Sequence, residues 1–317
     1  MDRSLARQAE NRLIEAFTTM TLVVGATGTL GFEICRRLRN AGEPVRALVR
    51  ATSDSMRKDA LSALGAELVE GDLKDRQSLE RACRDADSVI TTPTAIMARD
   101  LSDTFESVDR RGQMDLIDAA RGARAGRFVF VSVSSRFGRN PLIDAKREVE
   151  KHLQQSGLTY TILRPTCFME MWLSPHLGFD VQNGKARIYG SGRAKLSYIS
   201  LDDVAEFAVQ ALSNPAAGNA ALELGGPEAL SQVEVVGIFE ELTGRKFELE
   251  FVPEEQLIAA GAAATNPVER TFADLMLSAA RGDAIDMGDT LRKFPIRLKS
   301  VREYAQNLTS GAGAASS

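Results

Sequence analysis

Residues 21–31 read Thr-Leu-Val-Val-Gly-Ala-Thr-Gly-Thr-Leu-Gly, and this stretch decides the fold. Leu22, Val23 and Val24 form a short apolar run of the kind that becomes a buried strand. Gly25, Gly28 and Gly31 follow at three-residue spacing, and Phe32, Ile34, Cys35 and Leu38 then repeat with helical period. A buried strand passing through glycines into a helix is an anion-binding turn. The glycines permit a tight bend and close backbone approach, and the helix N-terminus offers free N–H groups to a pyrophosphate. Gly25, Thr27, Gly28, Thr29, Leu30 and Gly31 are therefore the expected cofactor-binding residues of a dinucleotide site.

Working outward, strands alternate with helices through the first half of the chain, the pattern of a parallel sheet covered on both faces. The strands are read at Val45–Val49, Glu67–Glu70, Ser88–Thr91, Phe128–Val131 and Tyr160–Leu163, with helices at 55–64, 77–83, 103–123 and 144–155. The expected fold is α/β: a Rossmann-type, doubly wound parallel sheet with ligands at the carboxyl ends of its strands. Residues 20–168 form the NAD(P)-binding core, with 196–226 contributing to it, and 169–309 form mainly a smaller C-terminal substrate lobe. Residues 1–19 read as a mixed-charge N-terminal extension, and 310–317 as a disordered small-residue tail. Ser231 and Glu234 have capping-box spacing and open the helix at Val235–Leu242.

With 317 residues, 44% of them hydrophobic, the chain can bury a large core. A formal charge of −4 with scattered basic residues gives no footprint for nucleic acid. Three cysteines (Cys35, Cys83 and Cys167) fit a reducing, cytoplasmic setting, and neither they nor the two histidines have metal-ligand spacing. No apolar run approaches the roughly 18 residues of a membrane span.

The order of motifs resembles the atypical short-chain dehydrogenase/reductase superfamily, and within it the NmrA-like and isoflavone-reductase-like branch. The resemblance rests on the Gly-x-x-Gly-x-x-Gly turn, Val45-Arg-Ala-Leu-Val-Arg50, Gly71-Asp72-Leu73 and Lys146-Arg-Glu-Val-Glu150. Ser156-Gly-Leu-Thr-Tyr-Thr-Ile-Leu-Arg-Pro165, Phe168-Met-Glu170 and Ser197-Tyr-Ile-Ser-Leu-Asp-Asp-Val-Ala205 extend it, so that it spans residues 21–252. It implies either an NAD(P)H-dependent oxidoreductase or, as in some NmrA-like relatives, a non-catalytic NAD(P)-binding redox sensor or structural subunit with a protein partner.

Arg50 closes the second strand, where an NAD site places an acid on the ribose 2′-hydroxyl. An arginine there suits the 2′-phosphate of NADP, which makes NADP the expected cofactor and NAD the alternative. Thr52 and Ser53 offer hydroxyl donors beside it, and Lys58 further charge. Asp72 is the expected partner of the adenine amino group, with Leu73 packing on the ring, and Thr91, Thr92 and Pro93 are expected to line the pyrophosphate path. Pro165, Thr166 and Phe168 are expected under the nicotinamide, and Trp172 over the substrate.

The superfamily's usual Tyr-x-x-x-Lys pair is broken: Leu142 stands four before Lys146, and residues 124–159 contain no tyrosine. In isoflavone-reductase-like proteins a lysine resembling Lys146 is thought to serve in the tyrosine's absence. At about 100° per residue, Lys146 lies roughly 70° from the centre of the stripe Ala145, Val149, His152 and Leu153, on the flank of the buried face. Lys146 is thus the expected catalytic residue and a second cofactor contact, and Ser134 is expected to polarise a substrate carbonyl, with Ser135 as its neighbour alternative. The substrate expected for such a site is a small apolar carbonyl compound, quinone or activated double bond.

Overall fold

The structure, a computed structural model, describes residues 19–314; the expected N-terminal extension, all but its last residue, and the last three residues lie outside that range. Strand β1 (Thr21–Val24) has all four residues buried and runs into the helix Thr29–Asn40. Ile34, Cys35 and Leu38 face the sheet from that helix, and Arg37 and Arg39 sit in its last turn, where the helix dipole favours cations. Then come β2 (Val45–Val49), β3 (Glu67–Glu70), β4 (Ser88–Thr91), β5 (Arg127–Val131) and β6 (Thr159–Pro165), each reached through a helical crossover. After β6 lie β7 (Phe179–Asp180), β8 (Lys185–Tyr189), β9 (Lys195–Leu196), β10 (Ala220–Leu224), β11 (Leu230–Ser231) and β12 (Glu248–Val252).

Seven strands form the central parallel sheet in the order β10-β6-β5-β4-β1-β2-β3. The chain grows outward from β1 to β2 and β3, then reverses and grows the other way from β4, so a crevice opens between the carboxyl ends of β1 and β4. The pleat sends Leu22 and Val24 to one face and Val23 to the other. One face packs on Ile34, Leu38 and Phe207, the other on Leu79, Leu116 and Leu153. A separate core under β7, β8 and β12 is built around Phe179, Phe239 and Phe247. The later segments reach back, with β10 joining the central sheet beside β6 and the helix Leu201–Gln210 packing on its face.

Three local readings are corrected. The region read as one helix over 103–123 is a π-helix (Phe105–Gly112) followed by an α-helix (Gln113–Gly122). The π-helix brings Gly112 so close to Leu73 that a β-carbon would lie 2.7 Å from the leucine's own. The helix expected from Asp144 starts at Pro141, because Asn140 caps it through the Ile143 N–H and proline suits the first turn. The final helix, Val301–Ala314, carries regular backbone into the segment expected as a disordered tail.

Candidate functional site

The glycine turn sits at the crevice. Gly25 has φ +83°, and a β-carbon on it would lie 2.6 Å from Thr92 Oγ1 and 2.9 Å from Pro93 Cγ, so β1 and β4 are drawn together only because the side chain is absent. A β-carbon on Gly31 would lie 2.2 Å from the Gly25 carbonyl oxygen. The helix beginning at Thr29 has Gly28 as its N-cap and no side-chain cap, whereas Asp54, Asp75, Asn140 and Ser200 cap other helices. Its N-terminal N–H groups are left to the cleft, and this open cradle fits a pyrophosphate.

At the far end of the cleft stand Arg50, Asp72 and Leu73. The Arg50 Nη1 donates to Asp103 Oδ2 at 2.6 Å, and Lys74 Nζ donates to Asp103 Oδ1 at 2.5 Å. Two cations at the ends of β2 and β3 suit a 2′-phosphate. Ser53 accepts from the Arg50 N–H, while Lys58 turns away to the Ala51 carbonyl. Asp72 caps its own turn through the Lys74 N–H.

Lys146 lies on the cleft floor, with 5% of its side chain exposed. Its Nζ is 3.5 Å from Asp109 Oδ1 and 3.4 Å from the Val131 carbonyl, and 5.2 Å from the centre of the Phe130 ring. Burial pushes the lysine's pKa below its usual value, against the pull of Asp109; burial likewise raises that of Asp109, against Lys146. Asp109 is fully buried and takes the Ala95 N–H on Oδ2, so it also fixes the loop after β4. The sequence signal for Asp109 is a charge at helical spacing among Phe105, Val108 and Gly112, and the structure buries all four on one stripe. Asp103 and Lys74 had no such signal, since nothing local pairs them with Arg50.

The structure brings Thr27, Gly28, Thr29 and Leu30 to the cleft, with Thr92 and Pro93 opposite and Pro165, Thr166 and Phe168 at its inner end. Two expected residues are not at its surface. Thr91 is fully buried and its hydroxyl donates to Gln113 Oε1, because the β4 pleat turns it beneath the sheet and leaves Thr92 in the cleft. Ser134 is also fully buried, with its backbone N–H on the Pro165 carbonyl; Ser132 and Val133 line the wall instead. The Ser132 hydroxyl donates to Glu150 Oε1, a carboxylate that also takes Arg164 Nη2 at 2.6 Å. Thr166 donates to the buried Asp283 across the lobe junction at 2.7 Å. Cys167 is buried beside it, its thiol pKa raised by burial.

The cleft encloses about 580 Å³. Its wide end is apolar, walled by Ile96, Phe137, Trp172, Phe272, Leu275 and Met276. A second concavity, of about 600 Å³, is lined in part by charged groups already bound to one another, among them Arg37 paired with Asp202 and Glu206. Among the described residues no group of His, Cys, Asp or Glu is placed to hold a metal, and no helix is long and apolar enough to cross a membrane.

Comparisons with known proteins agree with this architecture. A sequence profile described as the NmrA-like family matches residues 18–278. The chain is 31% identical to a protein named photosystem II assembly factor Ycf39 from Guillardia theta, over 90% of this chain and 93% of that protein. It is 32% identical to an NAD(P)H azoreductase from Xenophilus azovorans, over 71% of this chain and 74% of that one. Its fold matches a solved structure described as AtPrR2 with NADP+ and (+)pinoresinol, with a TM-score of 0.76 at 24% identity, covering 91% of this chain and 98% of the other.

Proposed function

The chain belongs to the NmrA-like family, and from that premise we propose that it is an NADPH-dependent reductase of small apolar carbonyl compounds, quinones or activated double bonds. The observation that carries this reading is the buried Lys146 Nζ on the floor of a cleft whose one end is an open glycine turn and whose other end is apolar. Gly25 to Gly31 would hold the pyrophosphate, Arg50 and Lys74 the 2′-phosphate, Asp72 and Leu73 the adenine, and Pro165, Thr166 and Phe168 the nicotinamide side. When bound, NADPH supplies the hydride.

Lys146 supplies the rest. Held at 3.5 Å from the Asp109 carboxylate and out of water, its Nζ keeps a proton at the cleft floor and passes it to the substrate atom that gains negative charge. This takes the place of the missing tyrosine. Phe137, Trp172 and Met276 exclude water and select an apolar substrate. An azoreductase named for NAD(P)H among the relatives supports the same class of chemistry.

The test is to mix the protein with NADPH and a panel of quinones, aldehydes and enones and follow loss of reduced-nicotinamide absorbance beside cofactor binding. Turnover on any class supports the reductase. Tight binding without turnover moves the reading to its alternative, an NADP-binding protein that works through a protein partner. One observation favours that alternative: the match over 90% of the chain to a protein named as an assembly factor.

A further inference from the structure

Asp103 sits where the reductase reading needs a phosphate. Only 8% of its side chain is exposed, and its two carboxylate oxygens are divided between Arg50 Nη1 at 2.6 Å and Lys74 Nζ at 2.5 Å. Lys74 also donates to Ser102 Oγ at 2.8 Å, and Thr104 caps the π-helix in a reciprocal pair with Ser107. Asp103 is therefore held from both sides, by Ser102 on Lys74 and by the cap that begins the next helix. Arg50 and Asp103 both line the cleft, so their ion pair spans its adenosine end.

We infer that Asp103 is a specificity-determining residue: an internal anion that competes with the 2′-phosphate of NADPH for Arg50 and Lys74. This rests on the reductase reading. A carboxylate bridging two cations occupies the positions that two phosphate oxygens would take. A ribose 2′-hydroxyl makes no such demand, so the competition falls on NADPH and spares NADH. A phosphate of about −1.5 to −2 charge outbids one carboxylate, yet it must displace or share the bridge and meets Asp103's own charge while doing so. The residue thereby narrows the margin by which the two basic residues favour NADPH, and it keeps Arg50 and Lys74 together when no phosphate is present.

Asp103→Asn keeps the shape and removes the charge. Fluorescence titration of the full chain with NADPH and with NADH, for wild type, Asp103→Asn and Asp103→Ser, is the experiment. Both variants are expected to bind NADPH about fivefold more tightly, which converts to ~1 kcal/mol, with NADH affinity unchanged. Weaker NADPH binding in both variants would make Asp103 a support for the two cations and overturn the inference. So would a shift of equal size for both cofactors. Wild-type protein that bound neither cofactor would overturn the reductase reading itself and this inference with it, whereas cofactor binding with an unaltered NADPH-to-NADH ratio in the variants would overturn this inference alone.

Discussion

Lys146 and Asp109 form a buried pair 3.5 Å apart, though they come from two helices separated by strand β5; only the lysine meets the cleft, and the aspartate is sealed beneath it. The pair puts a lysine and a carboxylate, both held by the protein, at the cleft floor.

Breaking that pair has unequal consequences. Asp109→Ala strands a buried ammonium and frees the Ala95 N–H, and is expected to cost about 3–5 kcal/mol in denaturant unfolding. Lys146→Met leaves an aspartate that burial already pushes toward its neutral form and that keeps Ala95, so its cost is expected to be smaller. Equal losses in the two melts would show that the carboxylate is not the anchor.

Turnover should report the same lysine. Lys146→Met is expected to lower kcat at least about 100-fold at saturating NADPH, the range of one general acid. An unchanged rate at saturating cofactor would remove Lys146 from the chemistry.

The pH profile follows from the direction of the lysine's shift. A proton donor is lost as pH rises through its pKa, and burial places that of Lys146 below the ordinary 10.5 while Asp109 raises it in part. The alkaline limb of kcat/KM is therefore expected below pH 10.5, and Asp109→Asn, which removes the raising charge, should move it lower still. A limb that stays in place in the variant would show that another group titrates.

The glycines should separate by their space. Gly31→Ala drives a β-carbon against the Gly25 carbonyl at 2.2 Å and is expected to cost about 1–3 kcal/mol and to abolish cofactor binding. Gly28→Ala meets the same carbonyl at 3.3 Å and should be milder on both counts. Thermal melts with and without NADPH distinguish the two.

Arg50→Glu is expected to weaken NADPH at least about tenfold, the loss of one charge-assisted contact plus repulsion, and NADH much less. Equal loss for both cofactors would mean that Arg50 serves the sheet edge and not the phosphate.

Local patterns in the chain were enough for the scaffold. A buried strand, three glycines and a helix in one 20-residue stretch are short-range facts of sterics and period, and so are the alternating strands and the capping box at Ser231. The buried position of Lys146 was legible too, because the apolar stripe that places it lies within its own helix. Which neighbour of a strand end faces the cleft was not legible. Thr91 ends the strand and Thr92 follows it, and one residue reverses the direction of the side chain; Ser132 and Ser134 both lie beyond the end of β5, where no strand period assigns them a face. The partners were not legible either. Asp109 meets Lys146 from 37 positions away, and Asp103, Lys74 and Arg50 come from three separate crossovers. The sequence by itself determined the sheet, its glycine turn and the buried place of Lys146 on its helix, because those depend on contacts near in the chain. Only the tertiary structure decided which charges oppose the lysine and the arginine, because pairing between distant segments depends on how the crossovers pack and leaves no periodic trace in the chain.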